Sequence, residues 1–207
     1  MTNKNSFPVS GAWPFLLALL CNSAFTPSAA EPLPNIVYIM ADDLGYGDLG
    51  CYGQKLIKTP HIDRLAERGM RFTDFYAGST VCAPSRCVLM TGLHTGHCFI
   101  RGNGKDNLRP EDVTVAEVLK RADYATGQVG KWGLGHEGST GLPTRQGFDF
   151  FFGYLDQHHA HLFYPTFLVK NEKRVKLRNI VPDEGQWGQG VASKKIDYSP
   201  ALLNKET

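Results

Sequence analysis

The sequence predicts an α/β fold built on a mostly parallel sheet flanked by helices. Three observations lead there. Asn35-Ile-Val-Tyr-Ile-Met40 is a continuous apolar run rich in β-branched residues, the pattern of a central strand buried on both faces. Helix signals follow it: Thr59 as cap, Pro60 at the first helical position and Gly69 as a stop. Further on, a helical stretch from Thr114 to Ala122 leads into a short strand from Ala125 to Val129. Strands alternating with helices argue for this class, and ligands in such sheets lie beyond the carboxyl ends of the strands. Asp42, Asp43 and Lys131 all fall at such ends.

The remaining elements fit the same plan. A Gly-rich loop runs from Leu44 to Gly50. Ile62, Leu65 and Ala66 form the apolar stripe of the helix after Pro60. Arg71 to Tyr76 alternates as a second strand, and Pro84 to Met90 reads as a helix ending at Thr91-Gly92. Val115, Val118 and Leu119 share one face of the later helix. Phe167 to Lys170 and Arg174 to Leu177, joined by Asn171-Glu-Lys173, read as a β-hairpin. The pattern weakens after Val181, and Lys194 to Thr207 offers no element that closes a domain.

Composition bounds the function. The 207 residues are 42% hydrophobic and 20% charged, with a formal net charge of +2. That is globular composition, and no dense Lys/Arg block points to nucleic acid. Residues 1–30 have the form of a secretory signal: Lys4, an apolar run from Gly11 to Leu20, then Ser28-Ala29-Ala30 before Glu31. The run is too short to span a bilayer, which takes about 20 residues. Cys21 raises a lipoprotein alternative, but Leu19 and Leu20 stand where small residues are expected. A secreted or periplasmic location follows, with residues 31–207 as the folded portion. Cys51, Cys82, Cys87 and Cys98 remain, and their spacings fit no zinc pattern. Cys51, Cys87 and Cys98 read as buried or weakly paired thiols.

Several residues suggest chemistry. Asp42 and Asp43 repel each other unless a divalent cation uses their oxygens, and all-oxygen ligation favours Ca²⁺ or Mg²⁺. A solvated turn or helix cap is the bland alternative. Cys82 precedes Pro84, which fits a first helical turn, so Cys82 lies at or just before a helix N-terminus, where negative charge is stabilised. Arg86, four residues on, returns to the same face. This suits an oxyanion beside a nucleophile, but a plain thiolate or a structural Cys would look similar. Lys131 ends a strand and can face the same cleft. His158, His159 and His161 cluster on a loop, with His159 and His161 on one side.

Together these segments resemble the sulfatase family. Cys82-Ala-Pro-Ser-Arg86 with Leu89-Met-Thr-Gly92 is similar to its signature, and Ala41-Asp-Asp-Leu-Gly-Tyr-Gly-Asp48 to its metal-binding start. Thr59 to Ala66, Arg71 to Tyr76, Gly130 to Gly135 and Gln146 to Asp149 continue the match in order. The resemblance implies an alkaline-phosphatase-like fold. It implies that a formylglycine-generating or sulfatase-maturating enzyme oxidises Cys82 to formylglycine. One hydroxyl of the hydrated aldehyde would attack the sulfur of a sulfate ester, and the other would later expel sulfate. Asp42 and Asp43, with modified Cys82, would bind Ca²⁺ (Mg²⁺ is the alternative). Arg86 would hold the modified residue and the metal site, and Lys131 would contact sulfate or the formylglycine hydroxyl. A sulfated small molecule or carbohydrate is the implied substrate.

Two departures stand out. Many arylsulfatases carry His two residues after the Lys, where this chain has Gly133. His136, His159 and His161 are candidates to replace it. The family's later metal ligands, a further His and a second Lys have no counterparts here, so residues 31–207 read as a truncated N-terminal portion, inactive alone. The alternatives are a catalytically inactive fragment or binding module with this fold, or a phosphate or phosphonate ester hydrolase of the same superfamily.

Overall fold

The computed structural model describes residues 32–185 and 190–207. The leader read from residues 1–30, Cys21 included, lies outside them. The chain divides into two units, Met1–Ala41 and Asp42–Thr207. In the first, residues 32–41 carry no regular secondary structure, and Val37 and Ile39 are 83% and 84% exposed. The central strand expected at Asn35–Met40 is therefore not formed. β propensity describes how a side chain suits a paired, packed surface; it does not supply the neighbouring strand whose N–H and C=O groups complete the ladder.

Among its described residues the second unit holds four α-helices and one four-stranded sheet. Helix α1, Pro60–Arg68, starts after Thr59 and stops at Gly69, as the sequence predicts. Thr59 does not cap in the usual way. Its hydroxyl donates to Asp63 Oδ1 at 3.0 Å and accepts from the Gly50 amide at 2.9 Å, tying the helix to the Gly-rich loop. The expected apolar stripe is not buried: Ile62 is 42% and Leu65 68% exposed. Arg71–Tyr76 is irregular and exposed, not a strand.

Helix α2, Cys82–Thr91, buries Ala83, Pro84 and Cys87 and ends at Gly92. Gly92 takes φ +69, where a side chain is disfavoured, and its amide closes the last turn on the Val88 carbonyl at 2.8 Å. Helix α3, Val115–Lys120, opens with a capping box. The Glu117 amide donates to Thr114 Oγ1, and the Thr114 amide donates to the Glu117 carboxylate. Ala116, not the Val115–Val118 face, is the buried side.

Strands β1 (Gly127–Lys131), β2 (Phe150–Tyr154), β3 (Phe167–Lys170) and β4 (Lys173–Lys176) lie in that order across the sheet. β1 and β2 pair in parallel; β2–β3 and β3–β4 are antiparallel. The expected hairpin is β3–β4, turning at Asn171 with φ 56. The sheet divides two cores. Phe151 and Val169 face one, with Trp132, Leu134 and Ile100; Phe152 and Leu168 face the other. Adjacent residues on one strand feed opposite layers because side chains alternate across the sheet. β2, with its Phe150-Phe-Phe run, was not marked in the sequence. Helix α4, Ser199–Glu206, corrects the expectation that nothing regular follows Lys194. It is fixed by tertiary contacts: Leu202 and Leu203 pack on the second core, and Tyr154 donates a 2.5 Å hydrogen bond to Ser199 Oγ.

Asp149 sets the entry to β2. It accepts from the Thr126 amide at 3.0 Å and from Lys120 Nζ at 2.6 Å. The Lys120 hydrogen bond, then the Thr126 amide and hydroxyl, hold its carboxyl down at about 2, against 3.8 ordinarily. A depressed carboxyl contributes stability above its unfolded-state value and loses that contribution as pH falls through the folded one. Unfolding followed between about pH 5 and pH 2 should show stability falling more steeply in the native chain than in Asp149→Asn. Parallel curves would show that this carboxylate does not hold the junction.

Candidate active site

Three segments distant in sequence meet at Asp42. Its Oδ2 accepts from Lys131 Nζ at 2.9 Å and lies 3.3 Å from Arg86 Nη2. Lys131 is the last residue of β1, so the parallel pairing with β2 sets its height. Arg86 is in the second turn of α2 and also donates to the Lys131 carbonyl. Both cationic side chains are largely buried, at 10% and 14% exposure, while Asp42 is 43% exposed.

The electrostatics follow from that burial. Desolvation works to raise the Asp42 carboxyl, but the Lys131 hydrogen bond and charge, with Arg86 and His161, outweigh it and hold the carboxyl below its usual value. Burial pulls the Arg86 guanidinium down, against the charges of Asp42 and Cys82. Cys82, the first residue of α2, is therefore within electrostatic reach of Arg86. The Ala83 amide in the same turn donates to Asn103 Oδ1 at 2.8 Å. Asn103 was missed in the sequence; its only signal there is an Asn between two glycines, Gly102 and Gly104.

The structure thus gathers Asp42, Arg86 and Lys131, with Cys82 beside Arg86. Asp43 follows with a left-handed φ of 57 and is exposed. Among the described residues, no three His, Cys, Asp or Glu side chains form a metal-holding group. The donors at Asp42 and Asp43 are hard carboxylate oxygens, which suits Ca²⁺ or Mg²⁺ and supplies part of a shell of six or more oxygens.

The candidate histidines part company. His159 is 3% exposed, packed against Phe167 at 4.4 Å and Tyr154 at 5.1 Å between ring centroids. Burial pushes it down to about 4, so it is neutral near pH 7. His158 is exposed and lies beside Asp156. His136 Nδ1 is 4.0 Å from Asp156 Oδ2. Only His161, of the loop histidines, is exposed and also acts electrostatically on Asp42.

The sulfatase family model matches residues 34–186. The chain belongs to the sulfatase family. It is 47% identical over 152 residues to human arylsulfatase A, covering 69% of this chain and 28% of that protein. It is 48% identical over 134 residues to an N-acetylgalactosamine-6-O-sulfatase of Bacteroides thetaiotaomicron, covering 58% of this chain and 26% of that protein. A solved sulfatase from a B. thetaiotaomicron glycosaminoglycan-metabolism locus superposes with TM-score 0.60 at 41% identity, covering 69% of this chain and 32% of the other. A further solved structure, in complex with its substrate D-glucosamine-2-N,6-O-disulfate, gives TM-score 0.61 at 30% identity, over 72% of this chain and 29% of the other. The fold is the alkaline-phosphatase-like α/β class of these neighbours. The chain spans just over a quarter of the length of the curated relatives it matches. No helix among the described residues is long and apolar enough to cross a membrane.

At Gly133, where the family resemblance leads one to expect His, the space for a side chain is taken. Its φ is +77, and a Cβ there would lie 1.7 Å from Gln157 Nε2. The Gln157 amide fills that space and donates to the Gly133 carbonyl at 2.8 Å. Gly133→His alone should lower stability by roughly 1–3 kcal/mol in thermal or urea unfolding. Adding Gln157→Ala should recover part of that loss but not the strain of the positive φ. Equal midpoints for Gly133→His and the native chain would show that Gln157 does not occupy the place of the missing side chain.

Proposed function

We propose that the protein hydrolyses sulfate esters, with the nucleophile formed from Cys82. The observation that carries this is the cluster of Asp42, Arg86 and Lys131 at the N-terminal end of the helix that begins with Cys82. A formylglycine at this position supplies, as its hydrate, an oxygen nucleophile that regenerates by elimination. Lys131, largely buried, holds a fixed positive charge where the sulfate oxygens gather negative charge. Arg86 is braced by the Lys131 carbonyl and Asp42, so its guanidinium would serve position 82 at little further loss of freedom. Asp42 and Asp43 would hold Ca²⁺, or Mg²⁺, which would add charge neutralisation at the same place. His161 is the histidine best placed to take over from the one absent at Gly133, because its charge already reaches Asp42.

The substrate reading is a sulfated carbohydrate, supported by the neighbour solved with a disulfated glucosamine. The two carboxylates make less than a full metal shell, so residues 31–207 alone are expected not to turn over. The full-length protein, made with a maturation enzyme, should carry an aldehyde in place of the thiol on the tryptic peptide Phe72–Arg86. It should release sulfate from an aryl or sugar sulfate. Cys82→Ala should abolish that release, and Lys131→Ala should reduce kcat by about 10²–10³. An unconverted Cys82, beside a control sulfatase converted in the same host, would overturn the reading.

A further inference from the structure

Helix α2 carries two cysteines with different surroundings. Cys82, at its start, is half-buried at the active-site end. Cys87, five residues on, is fully buried in the first core. Five residues turn a helix by roughly 140° beyond a full circle, so the two thiols leave it on different faces. After α2 the chain loops back and places Cys98, also fully buried, in the same core. That loop is fixed by its own hydrogen bonds: the Cys98 amide donates to the His94 carbonyl at 3.0 Å, and Arg101 Nε donates to the Cys98 carbonyl at 3.0 Å. Cys87 and Cys98 interact side chain to side chain, and the Cys98 thiol points to the Ile100 carbonyl at 3.2 Å.

We propose that Cys87 and Cys98 are joined by a disulfide in the mature protein, stapling α2 to the loop that follows it. The thiols are free in this structure. The oxidant is a dithiol oxidoreductase of the secretory or periplasmic compartment, so the proposal rests on the leader read from residues 1–30. One thiolate attacks the carrier's disulfide and releases a carrier thiol. The second thiolate displaces the carrier, forming the Sγ–Sγ bond, and the electron pair leaves with the reduced carrier. Burial pushes the Cys87 thiol up to about 11, which disfavours the attacking thiolate in the packed core.

The pairing has a consequence for the site. An unpaired Cys87 or Cys98 would be free to compete for the Cys82 thiol in an oxidising compartment. Joined to each other, they leave Cys82 open to conversion. The staple itself does not depend on the sulfatase chemistry, and the two can be read apart. Arg71, Arg86 and Arg101 divide the cysteines: trypsin gives Phe72–Arg86, with Cys82 alone, and Cys87–Arg101, with both others.

The experiment is a digest of the full-length protein exported with its own leader, denatured in alkylating reagent without reductant. Peptide Cys87–Arg101 is expected without alkyl groups and lighter by two hydrogens than its reduced form. After reduction it should take up two alkyl groups. Two alkyl groups before reduction, or either cysteine linked to Cys51 or Cys82, overturns the proposal. The state of Cys82 is read separately on Phe72–Arg86, so an unconverted Cys82 beside an intact staple would sink the functional reading alone. Cys87→Ala should expose Cys98 to alkylation and make the thermal midpoint insensitive to reductant. A midpoint that falls equally on reduction in native and variant protein counts against the staple.

Discussion

The carboxylate of Asp42 meets the ammonium of Lys131 and the guanidinium of Arg86, and the guanidinium also bonds the Lys131 carbonyl. Two cations this deeply buried require a counter-charge, because desolvated like charges repel strongly and lose their water. Asp42 supplies it from a segment that forms no strand of its own. The cluster therefore fixes the segment at Asp42, the second turn of α2 and the end of β1 relative to one another. Everything proposed for Cys82 depends on this junction, since its helix begins one turn before Arg86.

Around the junction the chain replaces what the family pattern leads one to expect. Gln157 occupies the space beside Gly133 and bonds its carbonyl, so the missing histidine is matched by packing. His159 is spent the same way, between Tyr154 and Phe167. Its Nε2 has no protein partner. A buried imidazole held near a pKa of 4 is a core residue with a polar edge, whatever its position in a His-rich loop. That leaves the exposed His161 as the loop histidine whose charge is felt at Asp42.

The sheet explains how the site is supported. β1 is held on β2 in parallel, and β2 in turn is held by the β3–β4 hairpin. Phe151 and Val169 pack toward the core that contains Cys87, Cys98 and Trp132. Trp132 follows Lys131 directly and donates its indole N–H to the Gly141 carbonyl at 2.7 Å. Fixing the tryptophan fixes the lysine before it, so packing one residue away gives Lys131 its position.

The sequence by itself determined the local grammar. Thr59-Pro60 and Gly69 bound α1, Pro84 and Gly92 bound α2, and Asn171 turns the hairpin, because caps, prolines and left-handed positions act within a few residues. It also singled out Asp42, Arg86 and Lys131, which the structure brings together, and Cys82 at the start of the same helix as Arg86, since their motifs are contiguous and ordered. Only the tertiary structure decided which periodic faces are buried. The run from Asn35 to Met40 and the stripe on α1 carry the right residues but stay exposed, while Ala116 is buried in place of Val115 and Val118. Burial needs a second surface, and a hydrophobic pattern states a capacity to pack without naming the partner. The same reason governs Asn103, Gln157 and α4: their roles are contacts with residues far along the chain, which no local pattern encodes.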